Sequence, residues 1–300
     1  AAVWEKVYRM QLASHGMGAA AVIGLSGIDL ALWDIRGREL GRSLSDLLGG
    51  KAKSIPAYAG GVSLGFRPVS ELISEVDKLL AAGYGALKLR LGDTPERDVE
   101  RVRAVRDHVG NVIEIMVDVN TAYDLPQIAE IMPALDENNV VWLEEPFPAH
   151  DYKSYIAAQA LGNTPLAAGE NHYTRFDFER VKDDGAITIW QPDLSKTGGI
   201  SEGLRIAEMA NAVGTTIHPH TSVTSINMSA SVQFLCAIRN AGYFEADCST
   251  FNPFRNELCT QGYIDMGDGT VCPIDAPGLG IEVDEDLLTK YLAIPGPGYI

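Results

Sequence analysis

The chain has 300 residues, a formal charge of −16, 46% hydrophobic residues and 21% charged residues, an ordinary composition for a globular protein. This acidity argues against a nucleic-acid or anionic-membrane surface, since both need basic patches. No run of about 18 apolar residues occurs, so no membrane span is expected. The first residues lack the features of a signal peptide, and the four cysteines form no CxxC pair. Both points favour a reducing, cytoplasmic location.

The predicted elements begin with helices, because residues 24–50 carry apolar residues at helical spacing and end in Gly-Gly. Eight β-like runs follow, at 54–61, 85–92, 113–120, 140–146, 165–170, 187–193, 215–220 and 243–247. Helical stretches such as 70–83, 96–110 and 203–214 separate them. This alternation predicts βα units around a parallel sheet, and eight of them predict a closed (β/α)8-type barrel. The tail, 272–292, has the pattern of a loop, a short strand and a helix.

Charged side chains recur at regular steps near the ends of successive predicted strands. They are Lys88, Asp118, Glu144, Glu170, Asp193, His220 and Glu245. In a parallel barrel the carboxyl ends of all strands open on one face, so we expect these side chains to share one site.

Three of these residues, Asp118, Glu144 and Glu170, are carboxylates on consecutive strands. Burying them without compensation would cost several kcal/mol, and a divalent cation removes that cost. An all-oxygen ligand set with no nearby cysteine favours Mg²⁺. The alternative is a set of separate salt bridges to Lys and Arg. Strand alternation predicts that the neighbouring Glu145 points to the other side and meets a basic partner or a supporting group.

The next two strands end in Asp193 and His220. An Asp that accepts a hydrogen bond from one imidazole nitrogen fixes the tautomer and raises the basicity of the other nitrogen. The pair therefore predicts a general base, with a purely structural His as the alternative. His218 is expected to lie deeper on the same face, as a packing or support residue.

Lys88 and Arg90 are two residues apart, so they share one face of their strand. Two cations at the barrel mouth predict binding of a carboxylate or stabilisation of an enolate, with simple surface ion pairs as the alternative. Arginine almost never loses its proton, so Arg90 is expected to act electrostatically. Glu245, on the last strand, would donate a hydrogen bond if it were protonated.

Together these motifs resemble the enolase superfamily, in particular its mandelate racemase subgroup. The matching residues are the KLR motif at Lys88 and Arg90, DVN at Asp118 and Asn120, LEEP at Glu144, GEN at Glu170, QPDLSKTGG at Asp193 and Lys196, and HPHTS at His220. The segment SGIDLALWDIRGR also resembles the helix that joins the cap to the barrel in that family. The resemblance covers nearly the whole chain.

The resemblance implies a modified (β/α)7β barrel of the TIM type with a capping α+β domain. Residues 1–52 would be the remaining part of the capping domain with its linking helix, and 53–270 the barrel. Residues 271–300 would return to the capping domain. The N-terminal portion of the cap, whose loops close over the substrate, is expected to be missing from the sequence. A homo-oligomer is expected at the family level.

The resemblance also implies roles for the site. Asp118, Glu144 and Glu170 would bind Mg²⁺, and His220 with Asp193 would be the acid/base. Lys88 would bind the substrate carboxylate or a metal-linked oxygen, and Glu245 would polarise that carboxylate from the side away from the metal. The positions predicted to bind the rest of a small-molecule carboxylate substrate are Arg90, Asn120 and Lys196.

The implied reaction begins by removing the proton α to a carboxylate through an enediolate. Racemases of the subgroup have a second basic Lys where this chain has Arg90, which weighs against two-base racemisation. β-Elimination of water from an acid sugar, giving a 2-keto-3-deoxy acid, is therefore the leading hypothesis. A sugar-acid lactone cycloisomerase and a 2-hydroxy-acid racemase or epimerase are the alternatives. A non-catalytic barrel and a phosphate-binding barrel explain the ring of strand-end residues less well.

Overall fold

Strands and helices alternate along most of the chain in the computed structural model, which describes residues 2–221 and 224–291. The strands are β1 (Ile55–Gly60), β2 (Ala86–Arg90), β3 (Glu114–Asp118), β4 (Val140–Glu144), β5 (Leu166–Ala168), β6 (Ile187–Trp190), β7 (Phe244–Asp247), β8 (Tyr263–Asp265) and β9 (Thr270–Pro273). The helices are α1 (Ala2–Val7), α2 (Ala13–His15), α3 (Ala19–Leu40), α4 (Leu44–Leu47), α5 (Val69–Ala81), α6 (Pro95–Val109), α7 (Leu125–Glu137), α8 (Tyr152–Ala158), α9 (Thr174–Asp184), α10 (Gly199–Ala212), α11 (Ser225–Leu235), α12 (Pro253–Asn256) and α13 (Glu285–Lys290), with a π-helix at Tyr8–Leu12.

The first seven strands form a ring of parallel neighbours. β1 to β6 pair in chain order, and β7 returns to pair with β1. The gap between β6 and β7 is closed by the predicted strand 215–220, which contributes a single parallel bridge on each side, from Ile217 to Trp190 and to Ala241. The predicted fold class, a modified (β/α)7β barrel, is confirmed, and its seventh strand is shorter than the sequence pattern suggests.

Local sequence signals begin and end the barrel helices. Thr94 caps α6 by accepting a hydrogen bond from the backbone N–H of Arg97, and a proline follows it at the first helical position. Asp124 and Gln127 form a reciprocal capping box at the start of α7. Gly185 ends α9 in the left-handed conformation. These caps fix where α6 and α7 begin and where α9 ends.

The barrel interior has an apolar layer below a polar one. Tyr58, Met116 and Trp142 pack together inside the ring and are fully buried. Because side chains alternate along a strand, the residues two steps after Met116 and Trp142 point to the same interior. Those residues are Asp118 and Glu144, so the period-two pattern places carboxylates directly above an apolar floor.

The segment after the barrel packs against its beginning. β9 pairs antiparallel with the start of β1, at Ile55 and Val271. Farther on, Leu44 N donates to Gly278 O, and Leu279 N donates to Asp34 Oδ1 on α3. These contacts agree with a C-terminal return to the helices that precede the barrel. The division at 52/53 and 270/271 stays a proposal, and 292–300 lie outside the described residues.

No described helix is both long enough and apolar enough to cross a bilayer.

The contact between α3 and the C-terminal segment gives a stability prediction. A Cβ at Gly37 would lie 2.5 Å from the backbone of Gly278. We expect Gly37→Ala to lower the free energy of unfolding by about 2 kcal/mol or more, because backbone must move. Gly24→Ala on the same helix is the control, since its Cβ would meet nothing within 4 Å.

Helix propensity alone should make the control neutral or stabilising by up to about 1 kcal/mol. Urea denaturation of both variants measures the difference. Equal stabilities would contradict the close approach of Gly37 to Gly278.

Candidate active site

Lys88 lies at the centre of a buried carboxylate cluster at the carboxyl end of the barrel. Its Nζ donates to Glu144 Oε1 at 2.9 Å, and lies 2.8 Å from Glu245 Oε1 and 3.4 Å from Asp118 Oδ2. All four side chains are about 1% exposed. The strand register produces this cluster, because Asp118 on β3 pairs directly with Glu144 on β4.

Burial and ion pairing set the protonation states around Lys88. Burial lowers the pKa of Lys88, but the surrounding carboxylates outweigh it and hold the pKa well above the usual value. Burial raises the pKa of Glu144 to about 7, although Lys88 opposes the shift. Burial favours a higher pKa for Glu245 as well, but the charges of Lys88 and His220 outweigh burial and lower this pKa to about 2. Lys88 is therefore a fixed cation, and Glu245 is an ionised acceptor rather than the protonated donor considered from the sequence.

Arg90 shares Asp118 with Lys88. Its NH1 donates to Asp118 Oδ2 at 2.5 Å, and its Nε donates to Gly61 O at 3.0 Å. Asn120 follows the same strand as Asp118, and its backbone N–H donates to Asp118 Oδ1 at 2.9 Å. The Asn120 residue is exposed, with a φ of +47°. Arg90 and Asn120 therefore flank Asp118 at the mouth, where a substrate would enter.

A second cluster surrounds His220. Nδ1 of the imidazole lies 2.7 Å from Asp193 Oδ2, and Nε2 lies 3.0 Å from Glu170 Oε2. Lys196 donates to the other oxygen of Glu170 at 3.1 Å. Burial favours a lower pKa for His220, but Glu170 and Asp193 outweigh burial and hold this pKa well above the usual value. Burial raises the pKa of Glu170, and His220 and Lys196 more than reverse that shift.

Asp193 is held from behind by groups that the sequence analysis did not identify. Its Oδ1 accepts from the backbone N–H and the hydroxyl of Ser195, and from Asn227 Nδ2 at 3.1 Å. Its Oδ2 is left to the imidazole. Ser195 and Asn227 together therefore orient Asp193 toward His220. Ser195 lies within the QPDLSKTGG motif, but Asn227 is on α11 and carries no signal in the sequence.

The expectation for Glu145 is wrong in one respect. β4 ends at Glu144, and Glu145 has a φ of +39°, so strand alternation does not fix its direction. No described basic side chain pairs with it, and its carboxylate accepts instead from Asn171 Nδ2 at 2.9 Å. Burial, followed by the charge of Glu170, raises the pKa of Glu145 to about 8. Glu145 therefore lies on the site side and belongs to its supporting groups.

Gln191 is a further residue that sequence reasoning missed. Its Nε2 donates to Glu144 Oε2 at 2.7 Å, beside Trp142 Nε1 at 3.3 Å from the same oxygen. Gln191 directly follows β6 and is the first residue of the QPDLSKTGG motif, but the sequence analysis assigned it no role. A neutral amide is a weaker indicator of an active site in a sequence than a charged side chain, which explains the omission.

The three predicted metal ligands occupy neighbouring strand ends but have different partners. Asp118 and Glu144 converge on Lys88, whereas Glu170 pairs with His220 and Lys196. Within 2–221 and 224–291, no three carboxylate, imidazole or thiolate groups are arranged so as to hold a metal ion.

The donor chemistry nevertheless fits Mg²⁺. The Lys88 and His220 clusters and their immediate neighbours contain six carboxylates: Asp118, Glu144, Glu145, Glu170, Asp193 and Glu245. Their basic partners in the described chain are Lys88, Arg90, Lys196 and His220. Burial is the main cause of the raised pKa of Glu144 and of Glu145, and repulsion by neighbouring carboxylates adds to it. If all ten groups are ionised, the site carries an excess of two negative charges. A hard dication with oxygen ligands would balance it.

A closed parallel barrel with a base, cations and carboxylates at the carboxyl end of its strands has the arrangement of a TIM-type barrel enzyme. Residues 71–287 match the family described as "Enolase C-terminal domain-like". Residues 1–49 match "Mandelate racemase / muconate lactonizing enzyme, N-terminal domain". The chain belongs to the enolase superfamily, in its mandelate racemase/muconate lactonizing enzyme group. The resemblance seen in the sequence, and with it the prediction of an enzyme, is confirmed.

Two curated relatives come from bacteria. The D-galactarolactone cycloisomerase of Agrobacterium fabrum is 33% identical, over 98% of this chain and 80% of the relative. The D-galactonate dehydratase of Pectobacterium atrosepticum is also 33% identical, over 96% of this chain and 78% of the relative.

Two solved structures share the fold. An enolase superfamily member from Polaromonas sp. JS666 has a TM-score of 0.95 and 51% identity, over 100% of this chain and 79% of the other. A racemase from Streptomyces coelicolor with bound magnesium has a TM-score of 0.85 and 28% identity, over 96% of this chain and 77% of the other. Enzymes of this superfamily use Mg²⁺, as that structure illustrates.

His218, below the site, gives a prediction on acid stability. Its Nδ1 accepts from Tyr243 N, so the proton is on Nε2, which donates to Thr216 Oγ1. Burial lowers the pKa of His218 from 6.5 to about 4. The unfolded chain gains this proton near pH 6.5 and the folded chain only near pH 4, so stability is lost as pH falls through that window. The loss from this residue alone should reach roughly 3 kcal/mol.

Urea denaturation at several pH values between 7 and 4 tests this prediction. His218→Gln removes the titrating group, so its unfolding free energy should fall less steeply with pH than that of the wild type. Parallel curves for the two proteins would contradict a neutral, buried His218.

Proposed function

We propose that the chain is a Mg²⁺-dependent acid-sugar dehydratase. It removes the proton α to the substrate carboxylate, expels the β-hydroxyl as water and yields a 2-keto-3-deoxy acid. The observation that carries this proposal is the aligned Asp193–His220 pair, because it supplies one imidazole base at the mouth of a barrel whose other basic groups are fixed cations. The dehydratase relative supports the reaction class.

His220 would act twice in this reaction. Its Nδ1–H donates to Asp193, which leaves Nε2 to take the α-proton. Nε2 pairs with Glu170 here, and when Glu170 serves as a metal ligand its charge no longer acts on the imidazole alone. The pKa of His220 would then fall toward the range of a base. The imidazolium so formed would return its proton to the departing β-hydroxyl, so that one H⁺ and one OH⁻ leave as water.

The negative charge that develops on the substrate carboxylate needs cations. Lys88 stays protonated within its carboxylate cluster and would stabilise one oxygen of the enediolate. Mg²⁺ held by Asp118, Glu144 and Glu170 would supply further positive charge to the same oxygens. Asn120 and Lys196, next to two of these ligands, are proposed to contact the substrate.

A second candidate is a lactone cycloisomerase, which would use the same proton abstraction with a ring oxygen as the leaving group. The cycloisomerase relative favours it. Racemisation is less favoured, because it needs a proton carrier on the opposite face. Arg90 stands at the motif position where racemases of the subgroup have a second basic Lys, and Asp118 keeps its pKa raised despite the opposing effect of burial.

Three broader expectations also remain proposals. The substrate is taken to be a small carboxylic acid sugar, and the assembly a homo-oligomer. The four cysteines are free thiols, which supports a cytoplasmic location.

His220→Asn should abolish exchange of the α-proton of the substrate with solvent deuterium. The expected loss is on the order of 10³-fold or more, since Asn cannot accept the proton. Mass spectrometry of recovered substrate and an assay of 2-keto acid formation measure it. His108→Asn, on the surface of α6, is the control and should exchange normally. Unchanged exchange in His220→Asn would remove His220 as the base.

Removal of divalent cations with a chelator should abolish formation of the 2-keto acid from galactonate-type acids, because the enediolate loses its main counter-charge. Addition of Mg²⁺ should restore the activity. The 2-keto acid is followed over time in the untreated, chelated and restored enzyme. Full turnover after exhaustive chelation would exclude the metal-dependent mechanism.

A further inference from the structure

A separate pocket of about 370 Å³ opens beside the Lys88 cluster at the barrel mouth. Its walls come from the ends of β1 and β2, and from the end of β7 with the loop that follows it. Arg90 and Asp247 supply its charges, and Val62 and Phe251 supply its apolar surface. The catalytic roles proposed above do not use Asp247 or the loop after it.

Asp247 lies two residues after Glu245, so both carboxylates point from β7 toward the mouth. The Asp247 side chain is only 4% exposed and is held firmly through one oxygen. Oδ1 accepts from the backbone N–H and the hydroxyl of Ser249, and from Arg255 NH1 at 2.9 Å. No donor among the described residues lies on Oδ2, which leaves that oxygen as an available acceptor.

Arg90 offers the complementary group. Its Nε and NH1 are bound to Gly61 O and to Asp118. Across the described ranges, no acceptor contacts its NH2. The guanidinium is thus fixed in place with one nitrogen still able to donate. The pocket therefore presents a charged donor and a charged acceptor, both immobilised, at the ends of the two strands that flank β1.

Gly61 lies against both of these groups, because its carbonyl oxygen accepts from Arg90 Nε and its Cα faces Asp247. It has a φ of +76°, and a Cβ there would lie 2.2 Å from Asp247 Oδ1. Glycine adopts this positive φ without strain, and it has no Cβ to collide with the Asp247 carboxylate. Gly61, directly after β1, therefore leaves space for the Asp247 carboxylate.

The remaining wall is apolar and open to solvent. Phe251 is 61% exposed and Val62 is 75% exposed, although both are hydrophobic. A concave site with apolar sides and a few fixed polar groups is the usual form of a small-molecule subsite. A polyol chain matches it, since its C–H groups can lie on the aromatic ring while its hydroxyls bond to the charged pair.

We infer that this pocket binds the hydroxyl-bearing chain of the acid sugar, beyond the carbons that react. The inference rests on the proposed function and adds a specificity role for Asp247 and Phe251. Arg90 then contributes to the choice of substrate through its NH2. Acids that lack the distal hydroxyls would still reach His220 but would gain nothing from the pocket.

The test compares binding of D-galactonate with binding of glycerate, which lacks the distal hydroxyl chain, by calorimetry of the Mg²⁺-loaded protein. The wild type should bind the longer acid at least about tenfold more tightly, given hydrogen bonds to charged groups. Phe251→Ala and Asp247→Asn should each lose most of that preference while binding glycerate normally. Phe251 is exposed, so its variant should fold even if Asp247→Asn, which disturbs the Arg255 pair, does not.

The matched control is Phe66→Ala, which removes a ring of similar exposure, 57%, that lies over Arg101 and lines a different pocket. It should keep the full preference. Equal binding of the two acids by the wild type would overturn the inference, as would an undiminished preference in Phe251→Ala. Turnover is assayed separately: a protein that shows the preference but eliminates no water would contradict the proposed function and still support the pocket.

Discussion

The constraint on which the site depends is the burial of several carboxylates around one ammonium group. Lys88 contacts Glu144, Glu245 and Asp118, and all four are almost fully buried. Each carboxylate would be costly there alone, and the lysine would lose its proton without them. The apolar layer below, with Tyr58 and Trp142, excludes water from this side of the cluster, and the low dielectric strengthens the electrostatic interactions within it. One lysine cannot balance the whole mouth, and this imbalance is the physical reason to expect a dication.

Much of this arrangement could be predicted from the sequence, because it follows from two periodicities. Strands recur with the βα repeat, which puts their carboxyl ends on one face, and side chains alternate within each strand. Together these patterns place Lys88, Asp118 and Glu144 in one layer. The pattern failed where the backbone leaves the strand. Glu145 follows the end of β4 with a positive φ, so alternation gave the wrong direction, whereas the supporting group that was one of its two expected partners is present as Asn171.

Contacts made across the fold could not be predicted either. Asn227 reaches Asp193 from a helix 34 residues later in the chain, and no local pattern marks a neutral amide for that purpose. The pairing of Glu170 with His220, rather than with Lys88, depends on the relative positions of β5 and the segment around Ile217. That segment is a strand by pattern but makes only bridges. Such details depend on how far each strand end projects, which the sequence does not specify.

The central claim is that one Mg²⁺ balances the carboxylates at this mouth. Calorimetric titration of the chelated protein with Mg²⁺ tests it directly. The account predicts one saturable site per chain, a site that Glu144→Gln loses. Glu114→Gln alters a glutamate at the opposite end of β3, where Tyr243 donates to it, and should bind as the wild type does. Absence of saturable binding, or equal binding by both variants, would contradict the account.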